Sequence, residues 1–223
     1  MPSNRYPIIA KEGWLILLIV VLLGLFLLNQ FVPAYSIPVW IILLGLIYLL
    51  RDPYRTVPSS PSAIVSPVEG TIESVNHHKD QWIGREAIRV RIRMNYSSTY
   101  TIRSPMEGKV VRNWSSEPAT LGSNNIIHRH ALWIQSDEGD DVLTVIYIGK
   151  MASRLSCYAY PGERIGQGQR CGYYMLGGTV EVYLPIDSKV RVAEGDRVLS
   201  GSSVLGLLVY KKASVPTSPV VSL

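Results

Sequence analysis

The strongest constraint on this chain's fold is that two short motifs each occur twice, both copies of one preceding both copies of the other. Ser66-Pro-Val-Glu-Gly70-Thr-Ile and Ser104-Pro-Met-Glu-Gly108-Lys-Val are two copies of S-P-x-E-G-x-[IV]. Further on, Pro161-Gly-Glu-Arg-Ile-Gly-Gln-Gly168 and Glu194-Gly-Asp-Arg-Val-Leu-Ser-Gly201 are two copies of x-G-[DE]-R-[IV]-x-x-G. Glycine supplies positive φ at a tight turn at no steric cost, and the branched residue beside it packs inward. Two such copies describe a duplicated unit of short strands closed by tight turns.

The rest of the chain beyond residue 63 agrees with that reading. Short β-rich runs (Ile126–Gln135, Val142–Ile148, Thr179–Leu184 and Val204–Tyr210) are broken by Gly, Pro, Asn and Asp, with no amphipathic helix of ordinary length between them. The repeats resemble the half-motifs of biotinyl and lipoyl-type barrel-sandwich domains. The fold expected is therefore mostly β, a duplicated barrel-sandwich domain over residues 66–210, with a flexible tail at 211–223. Residues 51–65, rich in Pro and Ser, read as an extended linker, because each proline disfavours helix in the residue before it.

Residues 1–50 have a different character. Trp14 to Leu28 and Val39 to Leu50 are unbroken apolar runs joined through the Pro33 to Pro38 link. Neither has a polar face, so a helical hairpin that spans the bilayer or dips into it is expected. A full crossing needs about 20 apolar residues, and each run reaches that only with its flanks. Arg5 and Lys11 precede the first run, Arg51 and Arg55 follow the second, and the link carries no charge, which keeps both ends in the cytoplasm. The expected location is the inner membrane with the β domain facing the cytoplasm, where Cys157 and Cys171 stay reduced.

The net charge of +5 is modest and scattered, which suits a domain resting on an anionic leaflet and argues against nucleic acid. The one concentrated feature is Ile88-Arg89-Val90-Arg91-Ile92-Arg93-Met94, whose alternation puts three arginines on one strand face. That face is either a solvated exterior over a buried interior or a phosphate-facing stripe, since guanidinium forks match phosphate oxygens. The four histidines are His77, His78, His128 and His130. His128-x-His130 shares one side of a strand but lacks acidic or Cys partners nearby, so no metal site is expected. Asp187, Asp196, Glu163 and Glu194 sit in turn sequences and read as solvated.

One segment carries a chemical signature with a gap in it: Gly168-Gln-Arg-Cys-Gly-Tyr-Tyr-Met-Leu-Gly177-Gly178-Thr179-Val-Glu-Val-Tyr-Leu-Pro185. It resembles the processing segment of the phosphatidylserine decarboxylase family. The likeness extends over most of the chain. An apolar hairpin is followed by Arg51-Asp-Pro-x-Arg55, Ser66-Pro67-x-x-Gly70, Arg103-x-Pro105-x-x-Gly108 and Ile148-Gly-Lys-Met-Ala152-x-Arg154, in the order of the short, membrane-anchored members. The resemblance implies a chain that breaks itself between Gly and Ser, turning the Ser into a pyruvoyl group that carries the decarboxylation. It also implies phospholipid, phosphatidylserine above all, as ligand, Arg103 beside the arginine stripe as a phosphate contact, and a homodimer.

Position by position, the catalytic residues implied by that resemblance are missing. The serine falls on Gly178, which has neither hydroxyl nor leaving group at Cβ. The histidine, three residues before Arg103-x-Pro105, falls on Tyr100, and Met94 to Pro105 holds no His. The acid of the Pro-Ala-Asp-Gly motif falls on Glu69. Thr179 has a hydroxyl, but one position along a strand and so on the opposite face. The expectation is a membrane-anchored family member without cofactor or catalysis, with Gly177-Gly178 a vestigial processing site, acting in phospholipid binding, sensing or scaffolding. An active decarboxylase making phosphatidylethanolamine and a barrel-sandwich adaptor of a membrane complex are the alternatives.

Overall fold

The computed structural model of the chain describes residues 9–30, 33–95, 97–120, 126–148, 155–175 and 177–209. Two helices come first, α1 (Trp14–Gln30) and α2 (Ile37–Leu49), and they pack on each other. Gly24 permits the close approach, since a Cβ there would lie 3.2 Å from Trp40 Cζ2. Their far ends are clasped where the Ala10 N–H donates to the Leu50 carbonyl at 2.9 Å, so the pair is an antiparallel hairpin. Its side chains point outward on every side: Leu15 and Leu44 are both 68% exposed.

The double membrane crossing expected of these runs is not supported. At about 1.5 Å per residue, helices of 17 and 13 residues reach only about 25 and 20 Å. A bilayer's hydrocarbon core is about 30 Å thick. Among the described residues no helix is long and apolar enough to cross a membrane.

The remainder is β structure. The strands are β1 (Ala63–Val65), β2 (Gly70–Lys79), β3 (Glu86–Arg93), β4 (Thr101–Arg103), β5 (Gly108–Thr120), β6 (Ile126–Gln135) and β7 (Asp141–Ile148). After them come β8 (Leu155–Cys157), β9 (Arg164–Ile165), β10 (Arg170–Tyr174), β11 (Thr179–Pro185), β12 (Lys189–Val190), β13 (Arg197–Val198) and β14 (Val204–Leu207). Eight of them form one curled sheet, a half-barrel in the order β13-β2-β3-β11-β7-β6-β5-β9. Two three-stranded sheets, β1-β14-β12 and β4-β10-β8, accompany it. The inward residues of the curled sheet, among them Val90, Ile92, Val180, Val182, Ile134 and Ile146, join Tyr100, Tyr174 and Leu50 in one core. Leu50 carries the base of the hairpin into that core.

The sequence repeats are repeats of structure. The hydroxyls of Ser66 and Ser104, both buried, donate to the carbonyls of Val68 and Met106, each at 2.6 Å. Gly201 and Gly168, with φ of 73° and 67°, donate their N–H to the carbonyls of Ser66 and Ser104. β13 pairs with the start of β2 as β9 pairs with the start of β5. The linker is bound rather than free: β1 already begins at Ala63, and the Ser202 hydroxyl holds the Thr56 carbonyl at 2.9 Å.

Candidate functional site

The Gly177–Gly178 junction lies between β10 and β11, at the end of the curled sheet where β3 finishes. Gly177 takes the positive φ of the bend, 65°, which an L side chain rarely adopts. The Gly178 carbonyl accepts the Met94 N–H at 2.9 Å, tying the junction to the end of β3. Tyr100 closes on it from the segment leading into β4. Its carbonyl accepts the Tyr174 N–H at 2.8 Å, and its ring would lie 3.7 Å from a Cβ placed on Gly177. Tyr100, where the resemblance puts a histidine, therefore lies beside Gly177. It does so as a buried aromatic, packed edge-on against Tyr173.

Gly178 is hemmed in on one side. A Cβ there would fall 3.0 Å from the Tyr147 carbonyl oxygen and overlap the Tyr174 hydroxyl. That hydroxyl donates to the same Tyr147 carbonyl at 2.6 Å. The position has no hydroxyl of its own and no room for a side chain, so the residues present do not fit a pyruvoyl group.

Glu69 sits at the turn into β2, one link away from the junction. Its Oε2 accepts from Arg55 Nη2 at 2.8 Å and from the Thr99 hydroxyl at 3.0 Å, and Thr99 is the neighbour of Tyr100. The base of the hairpin reaches the same segment, for Arg51 donates to the Ser97 carbonyl at 3.3 Å. Arg103 is buried rather than presented to solvent. Its guanidinium donates to Asp52 Oδ1 at 3.0 Å and to the Gly168 carbonyl at 3.3 Å. Linker residues Asp52 and Arg55 thus strap the hairpin to the site through ion pairs.

The arginine stripe lies on the outer face of the curled sheet, as alternation requires, and a carboxylate occupies its centre. Arg91 donates twice to Glu181 Oε1, at 2.8 and 2.6 Å, and Arg89 approaches it at 3.6 Å. The hydroxyls of Tyr147 and Tyr183 both donate to Oε2 at 2.8 Å. Burial alone would raise the Glu181 carboxyl, but the hydrogen bonds from Arg91, Tyr183 and Tyr147 outweigh it and hold the group below its ordinary range. Burial and the adjacent Glu181 charge push the Tyr147 phenol up to about 12. Arg93, paired with Glu73, is the arginine of the stripe most open to solvent, at 69% of its side chain.

The remaining candidates lie apart. His77 and His78 sit opposite Ile88 and Ala87, at the far end of β3 from Gly178. His130 is buried, its Nε2 has no hydrogen-bond partner, and burial lowers it to about 4. The side chain of His128 and residues 149–154 lie outside the described residues. Thr179 opens β11, paired with Arg93 and Tyr147. Glu163 and Asp196 cap their own turns through the N–H of Tyr160 and Ala193, and Asp187 and Glu194 are exposed. Cys157 and Cys171 are free thiols, and among the described residues no three His, Cys, Asp or Glu come together as a metal site.

Two features escaped the sequence. Glu181 stands opposite Arg91, and its role could have been found only by pairing Thr179-x-Glu181-x-Tyr183 with the arginine run. Nothing local marked Tyr174 as the residue packed on Gly178.

Comparison with known proteins places this geometry. The family model described as phosphatidylserine decarboxylase matches residues 44–206. A protein of Nitrosomonas europaea named phosphatidylserine decarboxylase proenzyme is 37% identical over 214 residues, covering 92% of this chain and 97% of the relative. Similar proteins with the same name occur in Nitrosomonas eutropha, 35% identical over 90% of this chain and 95% of the relative, and in Aromatoleum aromaticum, 31% identical over 92% and 99%. The chain belongs to the phosphatidylserine decarboxylase family.

Proposed function

We propose that this chain is a member of the family that does not cleave itself, carries no pyruvoyl group and acts by binding phospholipid at a membrane surface, as a sensor or scaffold. The observation that carries the reading is Gly178: without a hydroxyl there is no nucleophile for self-processing and no atom from which the electrophile could be made. Tyr100 adds to it, since a buried phenol beside the bond does not supply the proton transfers of an imidazole near neutral pH.

Membrane attachment follows from the hairpin. An apolar surface on every side of two helices is far larger than a water-soluble monomer exposes, and lipid is the solvent that suits it. Helices too short to cross suit a hairpin that dips into one leaflet, the cytoplasmic one by its flanking Arg and Lys. Because Arg51 and Arg55 tie that hairpin to Ser97 and Glu69, the vestigial site faces the membrane, with phosphatidylserine the natural headgroup. Phosphate contact then falls to Arg93, the open end of the stripe.

The names of the relatives favour a second reading, an active decarboxylase, and one experiment separates them. The purified full-length protein is run on a denaturing gel, assayed for CO₂ release from phosphatidylserine, and floated with phosphatidylserine-containing vesicles. A single 24.8 kDa band, no CO₂ and co-flotation that is lost on deleting residues 14–49 are the expected results. Two chains or CO₂ release would overturn the reading, and a protein that stays out of the vesicles would remove its lipid half.

A further inference from the structure

A glycine at a functional position can be there for two reasons: its backbone needs it, or its neighbours leave no room. At this junction the two reasons fall on different residues. Gly177 has the positive φ, 65°, whereas Gly178 is not among the positive-φ glycines. Its backbone would accept an ordinary side chain. What refuses one is Tyr174, whose hydroxyl lies where the Cβ would go.

We infer that Tyr174 is the plug of the vestigial processing site: its hydroxyl fills the volume a residue-178 side chain would need, so Gly178 and Tyr174 form one coupled unit. The hydroxyl is fixed there for a physical reason. Tyr174 is fully buried, a buried phenol needs a hydrogen-bond partner, and the Tyr147 carbonyl at 2.6 Å provides it. A side chain at 178 would have to push the ring from a close-packed core and break that bond at once. The nearest atoms that would remain without the hydroxyl, the Tyr147 carbonyl oxygen at 3.0 Å and Tyr174 Cε1 at 3.1 Å, are tight contacts that shifts of a few tenths of an ångström relieve. Removing one oxygen atom therefore reopens the position. Self-processing is blocked here by occupancy as well as by the missing nucleophile, whatever lipid the protein binds.

The test is a double-mutant cycle on thermal unfolding of the full chain in detergent, with Gly178→Ser, Tyr174→Phe and the two combined. Gly178→Ser alone is expected to lower Tm by roughly 5–10 °C, as overpacking in a core does. In the Tyr174→Phe background the same change should cost less than half as much, which marks the two sites as coupled. Should Gly178→Ser fail to accumulate as folded protein, Gly178→Ala completes the same cycle, and recovery of folded Gly178→Ser by Tyr174→Phe counts equally for the plug. Equal losses in both backgrounds, no loss from Gly178→Ser, or no recovery by Tyr174→Phe would each overturn it.

Discussion

The copy of the repeat at Ser66–Gly70, with its turn at 194–201, and the copy at Ser104–Gly108, with its turn at 161–168, share their backbone bonds. The Ile72 N–H donates to Asp196 at 2.9 Å where the Val110 N–H donates to Glu163 at 2.8 Å, and Gly195 and Gly162 return the bond. A difference that bears on the site lies in the acid before the glycine. Glu69 is half-buried and held by Arg55 and Thr99 beside Tyr100, whereas its counterpart Glu107 is exposed and, among the described residues, pairs with the exposed Arg164. Duplication supplied two equivalent acids, and the linker coming off the hairpin drew one of them toward the site. What the copies share is scaffold, and what separates them is the part that communicates with the helical hairpin.

The shared part should break equally in both copies, and most severely at the glycines that start the long strands. A Cβ on Gly70 would run into the Arg93 carbonyl, and one on Gly108 into the Gln135 carbonyl. Backbone cannot swing aside as a side chain can. Gly70→Ala and Gly108→Ala should each cost about 3 kcal/mol, a Tm loss of roughly 6–12 °C. A loss in one copy alone would show that the bonding symmetry is not an energetic one.

A smaller and again symmetrical effect is expected at the serines. Ser66→Ala and Ser104→Ala each remove a buried hydroxyl that closes its turn at 2.6 Å. Each should cost about 1 kcal/mol, and the double variant should depart from the sum, because the two turns bond each other: the Val65 N–H donates to the Pro105 carbonyl at 2.8 Å and the Arg103 N–H to the Pro67 carbonyl at 2.9 Å. Thermal unfolding of the two single variants and the double one checks this.

How much of this was legible in the sequence follows the same division. Turn chemistry is local, so the duplicated scaffold could be read directly, and the strand Ile126–Gln135 appears with those bounds. The apolar runs were legible as helices, but their reach was not, because the helices end at Gln30 and Leu49 rather than extending through their flanks. The arginine stripe was placed on the correct face and given the wrong company. Its partner Glu181 lies 90 residues from Arg91 in sequence, and only the β3–β11 register joins them. Tyr100 was singled out by the resemblance alone, and its packing against Gly177 was not legible. Tyr174 was missed because which side chain abuts a glycine is decided by packing, which leaves no trace in spacing.

The asymmetric part should separate the copies, though with a change in stability no larger than that of a single serine variant. In Glu69→Gln the side chain keeps its shape, but its amide NH₂ now faces donors, Arg55 and the Thr99 hydroxyl, and the ion pair is lost. Both partners are about one-fifth exposed, so the pair is partly screened, and a loss of about 1 kcal/mol, or roughly 2–4 °C in Tm, is expected. Glu107→Gln removes only an exposed contact and should leave Tm within about 1 °C of the parent. Because Arg55 belongs to the strap between hairpin and β domain, Glu69→Gln should also speed proteolytic cleavage within residues 53–61, while Glu107→Gln should not. The two effects should shrink together as salt rises, since both come from the same ion pair. Equal behaviour of the two variants would mean that Glu69 is as much a surface residue as Glu107, and that the hairpin and the Gly177–Gly178 junction are not coupled through it.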